Sequence, residues 1–264
     1  MVLTAASRVN HARHGLTVTV TALLAFAIPV TPVGAQANDS LPFAVGERLE
    51  YRVKLSRVPA SGRSFMTVEA DTIRGQATYL LRFDFSVGFG FIKAMDRTES
   101  WLEPSRLVAL RFQKRERHPL WTGQETVELF PDERRWEGLG GATGETATAV
   151  PLDELSFIYF LRTIAFVSDS LYEFDRHYST DRNPITVKMV GRDTITTGVG
   201  ELSTIEVELR VKDPRRYGSG VGLIRIHFTD DDRRIPVRIE SDIPVAGKAI
   251  MTLVAWTCPP SGKP

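Results

Sequence analysis

The chain has 264 residues, with 33 Lys and Arg against 32 Asp and Glu, so its formal net charge at pH 7 is +1. This balance argues against a nucleic-acid-binding protein, because such proteins need a strongly basic face to displace the counterions of the phosphate backbone. The length suits a single large domain with its own core. The one cysteine, Cys258, excludes an intramolecular disulfide.

The N-terminal region has the order of features of an export signal. Arg8 and Arg13 precede a short apolar run, and small residues follow it, with a cleavage point after Ala35 or Ala37. The run is shorter than the roughly 20 apolar residues that a membrane anchor needs. No cysteine follows the run, which excludes acylation at the cleavage site. The sequence therefore predicts a cleavable signal peptide over residues 1–35 and a mature chain without a transmembrane anchor, soluble in the periplasm or cell envelope.

Alternating apolar and polar residues dominate the mature chain after a segment, 36–45, that we expect to be flexible. A period of two is typical of a strand with one buried face. The predicted strands are 49–55, 65–73, 79–87, 98–102, 107–115, 171–178, 185–190, 204–211, 221–228, 235–241 and 248–256. Short connections that carry Gly or Pro favour antiparallel pairing. So many strands exceed the size of about ten at which an open sheet curls, splits or closes.

Residues 152–167 have helical spacing instead, and they follow a Gly- and Thr-rich loop at 138–148. Acidic residues in the first turn suit the helix dipole. The predicted fold is therefore mainly β: a large curved antiparallel sheet, or a partly open β-barrel, with this one inserted helix packed on it. We expect a single β-rich domain over 46–257 and a disordered tail over 258–264.

No metal-binding or cofactor pattern is present in the sequence, and no cofactor is expected. The acidic run 230–232 has consecutive acids, whereas calcium loops alternate their ligands and need a glycine and a distal glutamate. We interpret it as a hairpin turn. His118, His177 and His227 are far apart in the sequence and lack the spacing of metal ligands.

No catalytic residue is predicted either. Ser219 lies directly between two glycines, whereas a nucleophile elbow has its glycines two positions away on each side. Asp96 with Asp84, or Asp96 with Glu99, is a candidate acid/base pair, but such pairs occur by chance in a chain of which 25% is charged. Cys258 is interpreted as an unpaired thiol without a role. We expect a protein that is not an enzyme, with a hydrolase of unrecognised site as the remaining alternative.

Aromatic residues supply the candidate binding site. They are Phe83, Phe85, Phe89, Phe91, Trp101, Tyr159 and Phe160. Alternating aromatic residues on a curved sheet can line an apolar cavity, and the two helical residues would then act as a gate. The alternative is that the same residues form an ordinary core.

Three local patterns occur in order along most of the mature chain. They are Pro42, Phe43, Gly46, Glu47, Leu49 and Tyr51; then Asp153, Leu155, Ser156, Tyr159, Leu161 and Arg162; then Thr229, Asp230, Asp231, Arg234, Pro236, Val237 and Arg238. Together they resemble the bacterial family called domain of unknown function 3108. The resemblance implies an exported or envelope-associated protein and carries no assigned activity or site residue. The basic stretch 114–118 departs from the usual pattern of that family.

Export, aromatic alternation and the missing catalytic pattern together favour a carrier. By fold analogy, a long antiparallel sheet with a helix is similar to the half-barrel lipoprotein carriers, which hold acyl chains on a concave face. The sequence thus predicts a non-catalytic binding module for a lipid or another hydrophobic molecule. The alternative is a structural or assembly protein of the envelope, with a fully packed core, that acts through protein contacts.

Overall fold

A computed structural model of the chain describes residues 41–213, 220–243 and 247–259. The predicted signal peptide lies outside the described residues, as do positions 36–40 and 260–264. The strands are β1 Arg48–Leu55, β2 Ser61–Ile73, β3 Gln76–Phe89, β4 Ile92–Glu103, β5 Val108–Arg117, β6 Thr122–Phe130, β7 Arg135–Gly138, β8 Thr143–Glu145, β9 Leu171–Phe174, β10 Ile185–Thr197, β11 Gly200–Lys212, β12 Val221–Thr229, β13 Pro236–Ile243 and β14 Gly247–Thr257. The helix α1 spans Glu154–Leu161, and short 3-10 turns span Pro131–Glu133 and Thr180–Arg182.

The described strands form one 14-stranded antiparallel sheet in the order β8-β7-β6-β5-β4-β3-β2-β1-β14-β13-β12-β11-β10-β9. Strands β1–β8 form one meander and β9–β14 form another. Pairing between β1 and β14 joins these two halves of the sheet. The sheet is not closed, because β8 and β9 remain as its two edges. The prediction of a mainly β fold with a large antiparallel sheet and one inserted helix is confirmed.

The register places the hairpin turns at two ends of the sheet. We call the end that carries the β3–β4 and β5–β6 turns the tip end. The β2–β3 and β12–β13 turns lie at the opposite end, together with the start of β1, because Arg48 pairs with Thr67 on one side and Thr257 on the other. We call this second end the anchor end.

Helix α1 is shorter than the predicted range of 152–167. It begins after its N-cap residue Asp153, whose side chain accepts hydrogen bonds from the backbone N–H groups of Leu155 and Ser156, and it ends at Leu161. Beyond that point the chain leaves the helix, yet Ile164 and Phe166 still pack against the core. Their apolar character therefore reflects burial of an irregular segment, which helical spacing alone cannot distinguish from a helix.

Helix α1 lies against the inner face of the sheet, which is the face that forms the main core. Six of its eight residues are buried. The rings of Phe157 and Phe160 contact Phe174 of β9, with centroid distances of 5.8 and 5.3 Å. The main core also contains inward-facing residues of β1–β3 and of β10–β14. The helix and both halves of the sheet therefore share one core.

The packed part of the chain starts earlier and ends later than the sequence indicated. Phe43 is buried and lies between the rings of Tyr79 and Tyr159, with the shorter centroid distance, 4.9 Å, to Tyr159. At the other terminus, Cys258 packs against the core although the sequence assigned it to a disordered tail. Both segments are held by packing of these side chains against the main core. No helix in the described ranges is long and apolar enough to span a bilayer.

Candidate functional site

A partly open cavity of about 200 Å³ lies on the inner face of the sheet beside α1. Its apolar walls are formed by Met66, Phe83, Phe85, Leu155, Phe157, Ile158, Ile185, Leu209, Val211, Ile224, Ile239, Ala249 and Met251. Its polar lining consists of Asp96, Thr98, Lys114, Glu154, His177, Arg182, Asp213 and Ser241. The two halves of the sheet therefore contribute to one cavity, which is apolar inside and charged at its border.

The charged border is built from neighbouring strands and the start of the helix. Lys114 on β5 donates to the Glu154 carboxylate on α1 at 2.7 Å. Arg182 lies 3.5 Å from that same carboxylate and 3.3 Å from the carboxylate of Asp213. Because each of these charged groups lies close to a group of opposite charge, the four residues together carry almost no net charge.

Asp96, Glu116 and His118 form a compact group beside this border. Asp96 and Glu116 face each other across the β4–β5 pair, and the His118 Nε2 atom lies 2.8 Å from the Asp96 Oδ1 atom. One ligand atom from each of the three side chains lies within 4.8 Å of the others, a set that could hold a divalent cation. This group could not be predicted from sequence spacing, because the register of β4 against β5 brings its members together.

The carboxylates that the sequence offered as partners of Asp96 point elsewhere. Asp84 and Glu99 lie on the outer face of the sheet, where they accept hydrogen bonds from Arg97 and Arg82 at 2.6 and 3.0 Å. Asp96 lies on the inner face and lines the cavity. Asp96 therefore pairs with neither carboxylate, in keeping with the interpretation of both combinations as chance pairs.

His177 is the most unusual polar residue of the cavity. Its Nδ1 atom accepts a hydrogen bond of 3.0 Å from the backbone N–H of Ser179, and Asn183 binds both backbone polar groups of His177. Burial lowers the pKa of His177 to about 4, so its ring is neutral at pH 7 and carries its proton on Nε2. This buried Nε2–H group has no hydrogen-bond partner among the residues that the structure describes. An unpaired buried donor costs about 1–3 kcal/mol.

The structure brings two of the seven predicted binding residues together at the cavity, Phe83 and Phe85 of β3. Phe89 and Phe91 are 58% and 99% exposed at the β3–β4 turn, so their prediction as cavity residues needs correction. The alternation of aromatic residues continues beyond the buried part of β3 to the exposed turn at the tip end. Trp101 lies on the outer face in a separate small core, where its Nε1–H donates to Asp71 at 2.7 Å.

Tyr159 and Phe160, the predicted gate residues, are buried on the side of α1 away from the cavity. Tyr159 contacts Phe43, and Phe160 lies beneath the guanidinium of Arg176 at 4.4 Å. Leu155, Phe157 and Ile158 line the cavity instead. Nearly the whole circumference of this helix is apolar, so the sequence could not show which of its faces borders the cavity.

A buried ion pair closes the anchor end of the sheet. The side chains of Glu47 and Arg162 are 2% and 1% exposed and form two hydrogen bonds of 2.6 and 2.8 Å. Arg162 also donates to the backbone carbonyls of Pro42 and Arg233. Burial lowers the pKa of this arginine, but the carboxylate of Glu47 outweighs that effect, and the net pKa is raised.

The three sequence patterns described above meet at this ion pair. Glu47 belongs to the first pattern, Arg162 to the second, and Arg233 lies within the third. A second link joins the first and third patterns, because the Tyr51 hydroxyl donates to the carbonyl of Pro236 at 2.7 Å. The residues that carried the family resemblance therefore form one structural joint.

The sequence profile of a family described as "Protein of unknown function (DUF3108)" matches residues 50–254. The chain belongs to the DUF3108 family. This DUF3108 protein has no match among curated proteins.

The DUF3108 chain is similar in fold to a solved structure titled "Crystal Structure of Beta-barrel-like Protein of Domain of Unknown Function DUF1849 from Brucella abortus". The TM-score is 0.53 at 12% sequence identity, and the match covers 83% of this chain and 99% of the other. At this identity the likeness concerns the fold alone. It supports the description of the DUF3108 domain as barrel-like.

Proposed function

We propose that this DUF3108 protein is an exported binding module whose cavity takes a slender hydrophobic ligand, such as part of a lipid. The observation that carries the proposal is the cavity itself, with apolar walls and an interior of about 200 Å³. An engineered apolar cavity of about 150 Å³ is enough for benzene, whereas drug-sized ligands need about 300 Å³ or more. A single acyl chain segment or a small ring fits this range better than a bulky ligand.

The border of the cavity indicates that such a ligand carries a polar group. The buried Nε2–H of His177 lacks a protein acceptor in the described part of the chain, and a hydroxyl, carbonyl or carboxylate oxygen on the ligand would supply one. Paired charges on Lys114 and Glu154 lie at the same border. We therefore assign the binding module to an amphipathic ligand whose apolar part enters first and whose oxygen accepts from His177.

Export is the second part of the proposal. It rests on the charge, the apolar run and the small-residue site near the N-terminus, and it places the protein in the periplasm or cell envelope. Expression of the full chain in a bacterial host tests it by intact mass. We expect the purified protein to begin after Ala35 or Ala37, and recovery of the uncleaved chain from the cytoplasm would contradict export.

Ala249→Leu tests the cavity directly, because Ala249 is a buried lining residue and the larger side chain takes up free volume. The matched control is Ala255→Leu, since Ala255 is an exposed residue of the same strand. The apolar fluorophore N-phenyl-1-naphthylamine serves as the probe. We expect the probe to bind the unchanged protein and the control equally, and the cavity variant at least tenfold more weakly.

Circular dichroism and thermal unfolding establish that both variants are folded. Equal probe binding by a folded Ala249→Leu variant and its control would contradict the proposed cavity site. Absence of probe binding to all three proteins, together with no co-purifying ligand, would favour the structural or assembly role.

A further inference from the structure

The tip end of the sheet exposes a group of large apolar side chains. We call this group the tip surface, and it consists of Phe89, Phe91, Ile92, Leu120 and Trp121. Phe91 is 99% exposed and Leu120 is 95% exposed. Single exposed apolar residues are common on protein surfaces, but a group of large ones rimmed by polar residues marks an interaction site.

Two neighbouring hairpins create this group. Strands β4 and β5 pair directly, with Met95 opposite Arg117 next to the turns, so the β3–β4 and β5–β6 turns lie side by side. The second turn is held closed by a hydrogen bond of 2.9 Å from the His118 N–H to the Trp121 carbonyl. The rings of His118 and Trp121 also stack at 4.1 Å. The indole is therefore held at the tip while half of it faces solvent.

Cationic side chains lie directly behind the tip surface. Arg63, Arg97, Arg115 and Arg117 line a groove of about 610 Å³ on the outer face of the sheet. Arg63, Arg97 and Arg115 form ion pairs with Glu50, Asp84 and Glu99 at 3.1, 2.6 and 3.9 Å, whereas Arg117 makes no ion pair with any residue in the described ranges. The combination of protruding aromatic residues with arginines behind them is typical of proteins that bind at the surface of an anionic membrane.

We propose that the tip surface docks this protein onto an anionic phospholipid bilayer. The apolar side chains of the two turns enter the head-group region, and the arginines of the groove bind lipid phosphates. Arginine suits this role because its planar guanidinium binds phosphate oxygens in a bidentate manner. The tip residues come from two adjacent turns, and the arginine-lined groove lies behind them, so charge complementarity favours an anionic lipid surface as the partner.

This docking surface is independent of the proposed cavity ligand, because its residues are exposed and lie on the turns and the outer face. The two sites are nevertheless close, since Phe85 and Asp96 line both the cavity and the groove. A protein bound to a membrane through its tip end would therefore hold its cavity near the lipid surface.

Co-sedimentation with vesicles tests the docking surface. Purified protein is mixed with phosphatidylcholine vesicles, or with vesicles in which a third of the lipid is phosphatidylglycerol. We expect binding to the anionic vesicles that weakens with added salt, because charge attraction is screened. The double variant Phe91→Ser with Leu120→Ser should bind at least tenfold more weakly. Arg115→Gln with Arg117→Gln should also lose about tenfold or more, from the usual contribution of each surface cation.

Two controls separate this effect from damage to the fold. Val199→Ser changes an exposed apolar residue at the β10–β11 turn, and Arg192→Gln removes an exposed cation of β10. Both should bind anionic vesicles as the unchanged protein does. Failure of the unchanged protein to bind, or undiminished binding by the folded tip variant, would overturn the proposal. The proposal would also be overturned if the unchanged protein bound no vesicles but self-associated in sedimentation velocity, and if only the tip variant lost this self-association. The surface would then be assigned to contact with a second copy of the chain. Ala249→Leu should bind vesicles as the unchanged protein does, because it changes the cavity and not the tip surface. Failure of the cavity proposal is therefore distinguishable from failure of the docking proposal.

Discussion

The buried pair of Glu47 and Arg162 offers the sharpest test of how this fold is held together. Both side chains are almost fully buried and share two short hydrogen bonds. Replacement of Glu47 by Leu leaves the guanidinium with only carbonyl oxygens as acceptors. Removing one partner of a buried pair costs about 3–5 kcal/mol, a large part of the roughly 5–15 kcal/mol that stabilises a typical domain.

A double-mutant cycle in urea unfolding measures this coupling. The variants are Glu47→Leu, Arg162→Met and the two combined. The double variant leaves no unpaired charge. We therefore expect its loss of unfolding free energy to be smaller than the sum of the two single losses, by about 2 kcal/mol or more. Additive effects within about 0.5 kcal/mol would refute the reasoning. The control is Glu50→Gln, which removes the half-buried partner of the exposed Arg63 and should cost less than about 1 kcal/mol.

Three further predictions concern pH and packing. Burial raises the pKa of Asp153 from 3.8 to about 6. The folded protein therefore holds this proton more tightly than the unfolded chain and loses stability as the pH rises from about 4 to 6. Urea unfolding across this range should show that Asp153→Asn loses up to about 3 kcal/mol less stability than the unchanged protein. Burial lowers the pKa of His177 from 6.5 to about 4, so the folded protein loses stability as the pH falls from about 6.5 to 4. His177→Gln should make the free energy of unfolding less dependent on pH in this range. For either variant, a pH dependence equal to that of the unchanged protein would contradict the corresponding assignment. Gly62→Ala should lower the free energy of unfolding by about 1–3 kcal/mol or more, because its Cβ would lie 1.8 Å from the carbonyl oxygen of Ser86. Ser61→Ala is the control, with an expected effect within about 0.5 kcal/mol.

Most strands could be predicted because one face of each is buried and the other is wet. In β1, Leu49, Tyr51 and Val53 are buried while their neighbours are more exposed, and the period of two is visible in the sequence. Strand β6 was missed because only Val127 and Leu129 are buried in it, both near its C-terminal end. Strand β8 could not be predicted, because it has only three residues, lies within a Gly- and Thr-rich segment and has no hydrophobic pattern.

The cavity could be predicted only in part. Phe83 and Phe85 were found because both lie on one buried face of a recognisable strand. Leu209 and Ile239 belong to the other half of the sheet, and only the pairing of β1 with β14 brings them near. His177 gave no sequence signal, because its role depends on burial and on the backbone N–H of Ser179, which occupies its other ring nitrogen. Local periodicity identifies strands, whereas long-range pairing decides which residues share a site.

Native mass spectrometry of the protein, purified under mild conditions from its own compartment, tests the central claim of ligand binding most directly. Any bound molecule is then extracted and identified, and the Ala249→Leu variant is treated in parallel. We expect a stoichiometric adduct with an apolar chain or ring and an oxygen acceptor, retained by the unchanged protein and lost from the variant. A clean polypeptide mass from several mild preparations, or an adduct that the variant retains in full, would contradict a ligand in this cavity.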